Sequence, residues 1–184
     1  MVYEALVRAR FTDRSAYAIH QKVASLLARE AADTRDYLYE YSPDTAELYL
    51  RSSAPAGRDF ADWRNLEALK AGGRYRVFGR IALSFERIEG LTATTIRVPG
   101  ELAKALKRVF ARNAGLEFET LDAYSTRPVW IEKPSRKPIH FTPIHFEGVA
   151  RVRDVAAANR VLEQGYGRGK GFGFGVIHFQ QVAL

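Results

Sequence analysis

Over residues 2–11 apolar positions, among them Val2, Ala5 and Leu6, are mixed with Arg8 and Arg10, and this β-rich run predicts an opening strand. Thr12 and Asp13 then supply N-cap chemistry. From residue 14 to about 30, Ala16, Ile19, Val23, Leu26 and Leu27 recur at helical spacing. Residues 36–41 and 46–51 alternate again, and Ser42-Pro43-Asp44-Thr45 between them is turn chemistry, so a hairpin is expected. A helical turn around 59–63 and a short strand at 66–69 follow. Gly72-Gly73 interrupts the pattern, and residues 74–85 read as one long strand.

The second half repeats this order. Pro99-Gly100-Glu101 opens a helix whose apolar face is Leu102, Ala105, Leu106, Val109 and Phe110, and Asn113-Ala114-Gly115 closes it. Leu116–Ser125 is a strand candidate. Pro128, Pro134 and Pro138, with Lys133, Arg136 and Lys137 between them, predict an exposed connector. Residues 139–152 predict a strand, Asp154 caps a helix through Gln164, and residues 172–182 predict the final strand. The sum is an α+β chain of two tandem ferredoxin-like (RRM-like, βαββαβ) domains, over residues 1–71 and 72–184.

Charge narrows the function. The chain of 184 residues has a net charge of +7 and is 47% hydrophobic. With a pI near 9.8, it favours a polyanionic partner, nucleic acid before a membrane surface. The absence of cysteine excludes a disulfide framework, Cys-ligated zinc and thiol catalysis, and suits a reducing cytoplasm. Met1-Val2-Tyr3-Glu4 has neither a basic start nor an apolar run, so no signal peptide is expected. No stretch approaches a membrane span.

Residues 165–175 carry a glycine at every second position, with Arg168 and Lys170 in the gaps. Such a backbone can approach another surface closely and aim N–H groups at an anion, which points to phosphate around Gly167, Gly169 and Gly171. It is not a P-loop, because Gly171 stands where Ser or Thr should follow the lysine. On the first helix Tyr17 and His20 are neighbours at i, i+3, flanking the apolar face. They read either as an acid/base pair or as ordinary boundary residues. On the helix that begins near 101, Lys104, Lys107, Arg108 and Arg112 form one stripe opposite the leucines, with Glu101 as the one acid. That stripe is either a solvated face or a track for double-stranded RNA. Phe172 and Phe174 read as core or as base-stacking rings on the last strand. Four histidines without cysteine or a H-E-x-x-H pattern do not suggest a metal site.

The chain resembles the CRISPR-associated repeat-cleaving endoribonucleases, in particular the CasE branch of the Cascade type. The resemblance rests on Phe146-Glu147-Gly148-Val149, on the capped helix after it, and on Gln164 through Gly175, which fits that family's G-ϕ-G-x-x-K-x-x-G-x-G loop without a gap. Tyr17-Ala18-Ile19-His20 and Arg127-Pro128 add to it. Gly79-Arg80-Ile81-Ala82 stands where the family often has Arg-Ala-Asn-Pro. The resemblance implies two ferredoxin-like domains, a CRISPR repeat RNA hairpin as partner, and other subunits of a Cascade-like complex. It also implies cleavage at the 3′ base of the stem without metal or other cofactor, leaving a 2′,3′-cyclic phosphate and a 5′-OH. His20 would then be the general acid/base and Tyr17 its orienting partner. Arg168 and Lys170 would hold phosphates, and Lys104, Lys107, Arg108 and Arg112 the stem. A non-catalytic RNA-binding subunit is the rival, and the absence of an RNP pattern in the central strands argues against a general single-strand binder.

Overall fold

The computed structural model describes residues 1–13, 15–27, 36–54, 61–83, 98–133 and 136–182. The first four strands are β1 (Val2–Arg8), β2 (Tyr37–Ser42), β3 (Glu47–Ser52) and β4 (Arg64–Leu66), and helix α1 (Ala16–Leu26) follows β1. They form an antiparallel sheet in the order β2-β3-β1-β4. Alternation along β2 and β3 turns Tyr37, Tyr39, Tyr41, Leu48 and Leu50 toward the Ile19, Val23 and Ala24 stripe of α1 and its C-cap Leu27. Burying a side chain of that size is worth roughly 1.5–3 kcal/mol.

The second unit comprises β5 (Arg74–Ala82), α2 (Pro99–Ala114), β6 (Leu116–Ser125), β7 (Val129–Lys133), β8 (Arg136–Phe141), β9 (Pro143–Val152), α3 (Val155–Gln164) and β10 (Ile177–Gln181). Its main sheet runs β10-β5-β9-β6, again antiparallel. In both sheets the first and third strands are central, which is ferredoxin-like topology. The α2 stripe of Leu102, Ala105, Leu106 and Phe110 covers one face, and Ala158, Val161 and Leu162 of α3 join it. Phe110 is the hub: its ring lies 5.3 Å from Phe118, 5.0 Å from Phe146 and 5.1 Å from Tyr166. Gly115 in the left-handed region ends α2, and Asp154 Oδ1 accepts from Ala157 N at 2.9 Å to start α3, both as expected.

The expectations fail in several places. Ser15, not Thr12-Asp13, caps α1: its Oγ accepts from Ala18 N at 3.3 Å, while Asp13 accepts from Ser15 N at 2.8 Å. The strand expected at 66–69 is β4, two residues earlier, and residues 61–63 are not helical; the rest of the expected turn lies outside the described residues, as do the ends expected at 28–30 and 84–85. The proline-rich connector is the hairpin β7–β8, with Ile131 buried. Strand pairing there needs few N–H donors, so Pro138 is tolerated in a two-stranded ribbon. The strand expected at 139–152 is cut after Phe141, and β10 begins only at Ile177.

Candidate active site

Five glycines between 165 and 175 have positive φ, so this stretch cannot continue as a strand. It folds back instead. Arg168 N donates to Ala82 O at 2.6 Å, and Gly175 N donates to Arg80 O at 2.8 Å. Between these anchors Lys170–Phe172 forms one 3-10 turn. A Cβ on Gly167 would stand 2.6 Å from Ala82 O, and one on Gly169 would stand 2.9 Å from the Phe174 ring. Phe172 and Phe174 are therefore not on a strand. They are buried with Ala82, Ile131 and Phe141, which bears out the core reading.

The turn rests on the first unit. Tyr39 Oη donates to Gly171 O at 3.1 Å, and the Phe172 ring lies 5.6 Å from the His20 ring. His20 is only 5% exposed, deeper than the boundary position expected from the helical wheel. Tyr17 is half-buried, and its Oη accepts from Gln21 Nε2 at 3.1 Å. Tyr17, Tyr39, Tyr41, Phe172, Arg80 and Trp130 help line a cleft of about 820 Å³. Tyr17 thus faces open space, while His20 lies one layer below it.

Arg168 is exposed, with its Cζ 5.9 Å from the Phe141 ring centre, and Lys170 is half-buried. Helix α2 reaches the loop through its last turn, where Asn113 Nδ2 donates to Tyr166 Oη at 3.3 Å. Burial pushes the Tyr166 hydroxyl up, and the Asn113 bond partly offsets this. The stripe is less bare than its sequence suggests. Lys104 pairs with Glu101 at 2.7 Å, which holds the Glu101 carboxyl below its usual range, and Lys107 Nζ donates to Glu119 O at 3.0 Å. Arg108 and Arg112 stay exposed on the helix.

Two residues of this cleft escaped the sequence reading. Arg80 Nη2 donates to Gly173 O at 3.1 Å, and its Cζ lies 4.9 Å from the Phe174 ring, so it braces the loop from β5. The repeat of Arg74, Arg76 and Arg80 on one strand face was the available signal. Trp130 is 64% exposed, and its ring lies 5.1 Å from His140. It was hidden in the supposed connector. Among the described residues no three His, Asp or Glu side chains could hold a metal ion, and no helix is long and apolar enough to cross a membrane.

The comparisons with known proteins fit this geometry. Residues 101–180 match the family model described as CRISPR associated protein. No curated protein matches the chain in sequence. Among solved structures, Cse3 of Thermus thermophilus, bound to an RNA representing a pre-cleavage complex, aligns with a TM-score of 0.72 and 18% identity over 97% of this chain and 98% of its own. Cas6e of Escherichia coli K-12 aligns with a TM-score of 0.70 and 20% identity over 99% and 100%. A chain of a CRISPR RNA-guided surveillance complex aligns with a TM-score of 0.68 and 20% identity over 98% and 100%. Residues 101–180 are thus similar to the CRISPR associated protein family, and along nearly its whole length the chain shares the fold of Cse3 and Cas6e.

Proposed function

We propose that the protein binds a CRISPR repeat stem-loop and cuts the precursor RNA at the 3′ base of the stem. The 2′-OH upstream of the scissile phosphate attacks phosphorus, the bond to the 5′ oxygen breaks, and a 2′,3′-cyclic phosphate and a 5′-OH result. One proton leaves the 2′ oxygen and one reaches the 5′ oxygen, so a residue that accepts and then gives a proton balances the step. His20 takes that role and Tyr17 orients the reacting groups. Arg168 and Lys170 hold backbone phosphates beside the glycine-rich turn. The observation that carries this reading is the seating of the 170–172 turn on α1, where Phe172 packs on His20 and in one cluster with Tyr17. For His20 to reach RNA, Phe172 must move off its ring, and the flanking glycines permit that. The RNA-bound Cse3 of the same fold supports the reading, as does the surveillance complex for a role as a subunit of a Cascade-like assembly.

A second reading, an RNA-binding subunit without catalysis, is favoured by the burial of His20. Incubation of the repeat hairpin in EDTA separates the two. Cleavage that a 2′-deoxy sugar at the cut site blocks is the expected result. Binding without any product would move the protein to the second reading.

The α2 stripe has its own consequence. Replacing Arg108 and Arg112 together by Gln should weaken hairpin binding and flatten its salt dependence by about one unit of slope for each phosphate no longer neutralised. Titrations across a salt series measure this. An unchanged slope would take the stripe off the RNA.

A further inference from the structure

The second sheet buries one face under α2 and α3 and leaves the other open toward β6, while at its β10 edge His178 packs against Glu40 at 3.1 Å and the Tyr49 ring at 4.6 Å. Two cross-strand rows stand on the open face. The first runs His178, Phe78, Glu147 and Asp122; the second runs Arg80, His145 and Tyr124. The rings are paired and nearly parallel: Phe78 on His178 at 4.9 Å and 12°, Tyr124 on His145 at 5.1 Å and 6°. These pairs line a cleft of about 890 Å³. Strand spacing and rise put them about 12 Å apart, two steps of an extended nucleotide chain.

The chemistry of this face differs from that of the glycine-rich loop. Its arginines are largely matched: Arg76 with Glu147 at 2.8 Å, Arg74 and Arg151 with Glu119 at 2.8 and 2.9 Å. Burial and the Arg80 charge lower the His145 pKa, which keeps that stack neutral near pH 7. Phe78 already carries His178 on its ring and the Arg76 Cζ 5.3 Å from its centre, so Tyr124 is the open ring, and a charge-matched face around it suits bases better than phosphates. Tyr124 is 56% exposed and offers a stacking surface. The exposed Asp122 and Glu147 carboxylates can accept from base amino groups. Arg80 lines both this cleft and the one holding Tyr17, so the two surfaces are continuous. Its Nε is shielded from solvent and has no hydrogen-bond partner among the described residues.

We propose that this face is a second RNA site, which holds unpaired ribonucleotides flanking the stem by stacking them on Tyr124 and beside Phe78. This rests on the reading above for the identity of the RNA, but its test does not. Three uncleavable probes are compared by fluorescence anisotropy: the repeat hairpin alone, the hairpin with about eight unpaired nucleotides added on its 5′ or 3′ side, and the unpaired strand alone. One extension should tighten binding at least about tenfold. Tyr124→Ala should remove about 5- to 100-fold of affinity for the extended hairpin and for the free strand, while Tyr124→Trp retains it. The bare hairpin serves as the reference for folding. If neither extension tightens binding and the free strand does not bind, the site is not for RNA. A gain that survives Tyr124→Ala also overturns it. Failure of the bare hairpin to bind would strike the stem-loop reading alone, because the free strand still reports on Tyr124.

Discussion

His20→Ala should abolish measurable cleavage of the repeat hairpin and leave its binding within a few-fold. Proton transfer by a placed side chain typically accounts for 10²–10⁴-fold in rate, and the His20 ring packs against the 170–172 turn through Phe172. Binding should persist because the cations lie elsewhere, on the loop and on α2. The burial of His20 gives the variant a stability cost as well. Removing a ring packed on Phe172 leaves a cavity, and such cavities destabilise by a few kcal/mol. His20→Gln, which fills more of the space, is therefore measured beside it, with melting curves for both. Loss of cleavage in both variants at temperatures where both are folded identifies the proton carrier. Retained cleavage in a folded His20→Gln would end the assignment. Tyr17→Phe should cost less, since it removes one hydroxyl but keeps the ring in the cleft wall.

The order of strands and helices was legible because each buried face follows one period: 3.6 along α1, α2 and α3, and 2 along β2, β3, β5 and β9. The glycine-rich stretch was also legible as an unusual backbone, and its Gly167, Arg168, Gly169 and Lys170 do form a tight fold-back beside α1. Three features were not legible, each for a physical reason. A helical wheel sees only its own helix, so it could not show that Phe172, about 150 residues later, covers His20. Alternation of Gly and Phe mimics a strand, but positive φ at Gly169, Gly173 and Gly175 ends pairing before Ile177. Three prolines in eleven residues mask the β7–β8 hairpin, whose short ribbon demands few of the donors that proline lacks. Trp130 was lost with it, although it is one of the most exposed aromatic residues of the cleft wall.

Arg51→Met should lower the melting temperature by about 5–15 °C, the equivalent of roughly 2–4 kcal/mol in a chain of this size. Arg51 is 2% exposed, a burial that arginine tolerates only when its donors are used. They are. Nη1 donates to Leu162 O at 3.0 Å and to Ile177 O at 2.9 Å, while Nε and Nη2 reach Tyr49 Oη at 3.1 and 2.7 Å. Tyr49 in turn donates to Glu4 Oε2 at 2.5 Å, and burial raises its pKa, so it stays a donor. One side chain from β3 thus ties the first sheet to the end of α3 and the start of β10. Methionine fills the volume, but it leaves two carbonyls buried without donors, which costs about 1–3 kcal/mol for each. Relief of the buried charge offsets part of this. Arg51→Lys should recover little, because one ammonium cannot reproduce the planar fork. The consequence reaches the site. Tyr17 and His20 belong to the first unit and Lys170 to the second, so the catalytic arrangement depends on a fixed joint between them. Below its melting temperature Arg51→Met should therefore lose cleavage more than binding, since the α2 stripe and the glycine-rich loop lie on one unit. An unchanged melting temperature would show that the joint is held by other residues. Equal losses of cleavage and binding would show that the hairpin needs both units to be grasped at all.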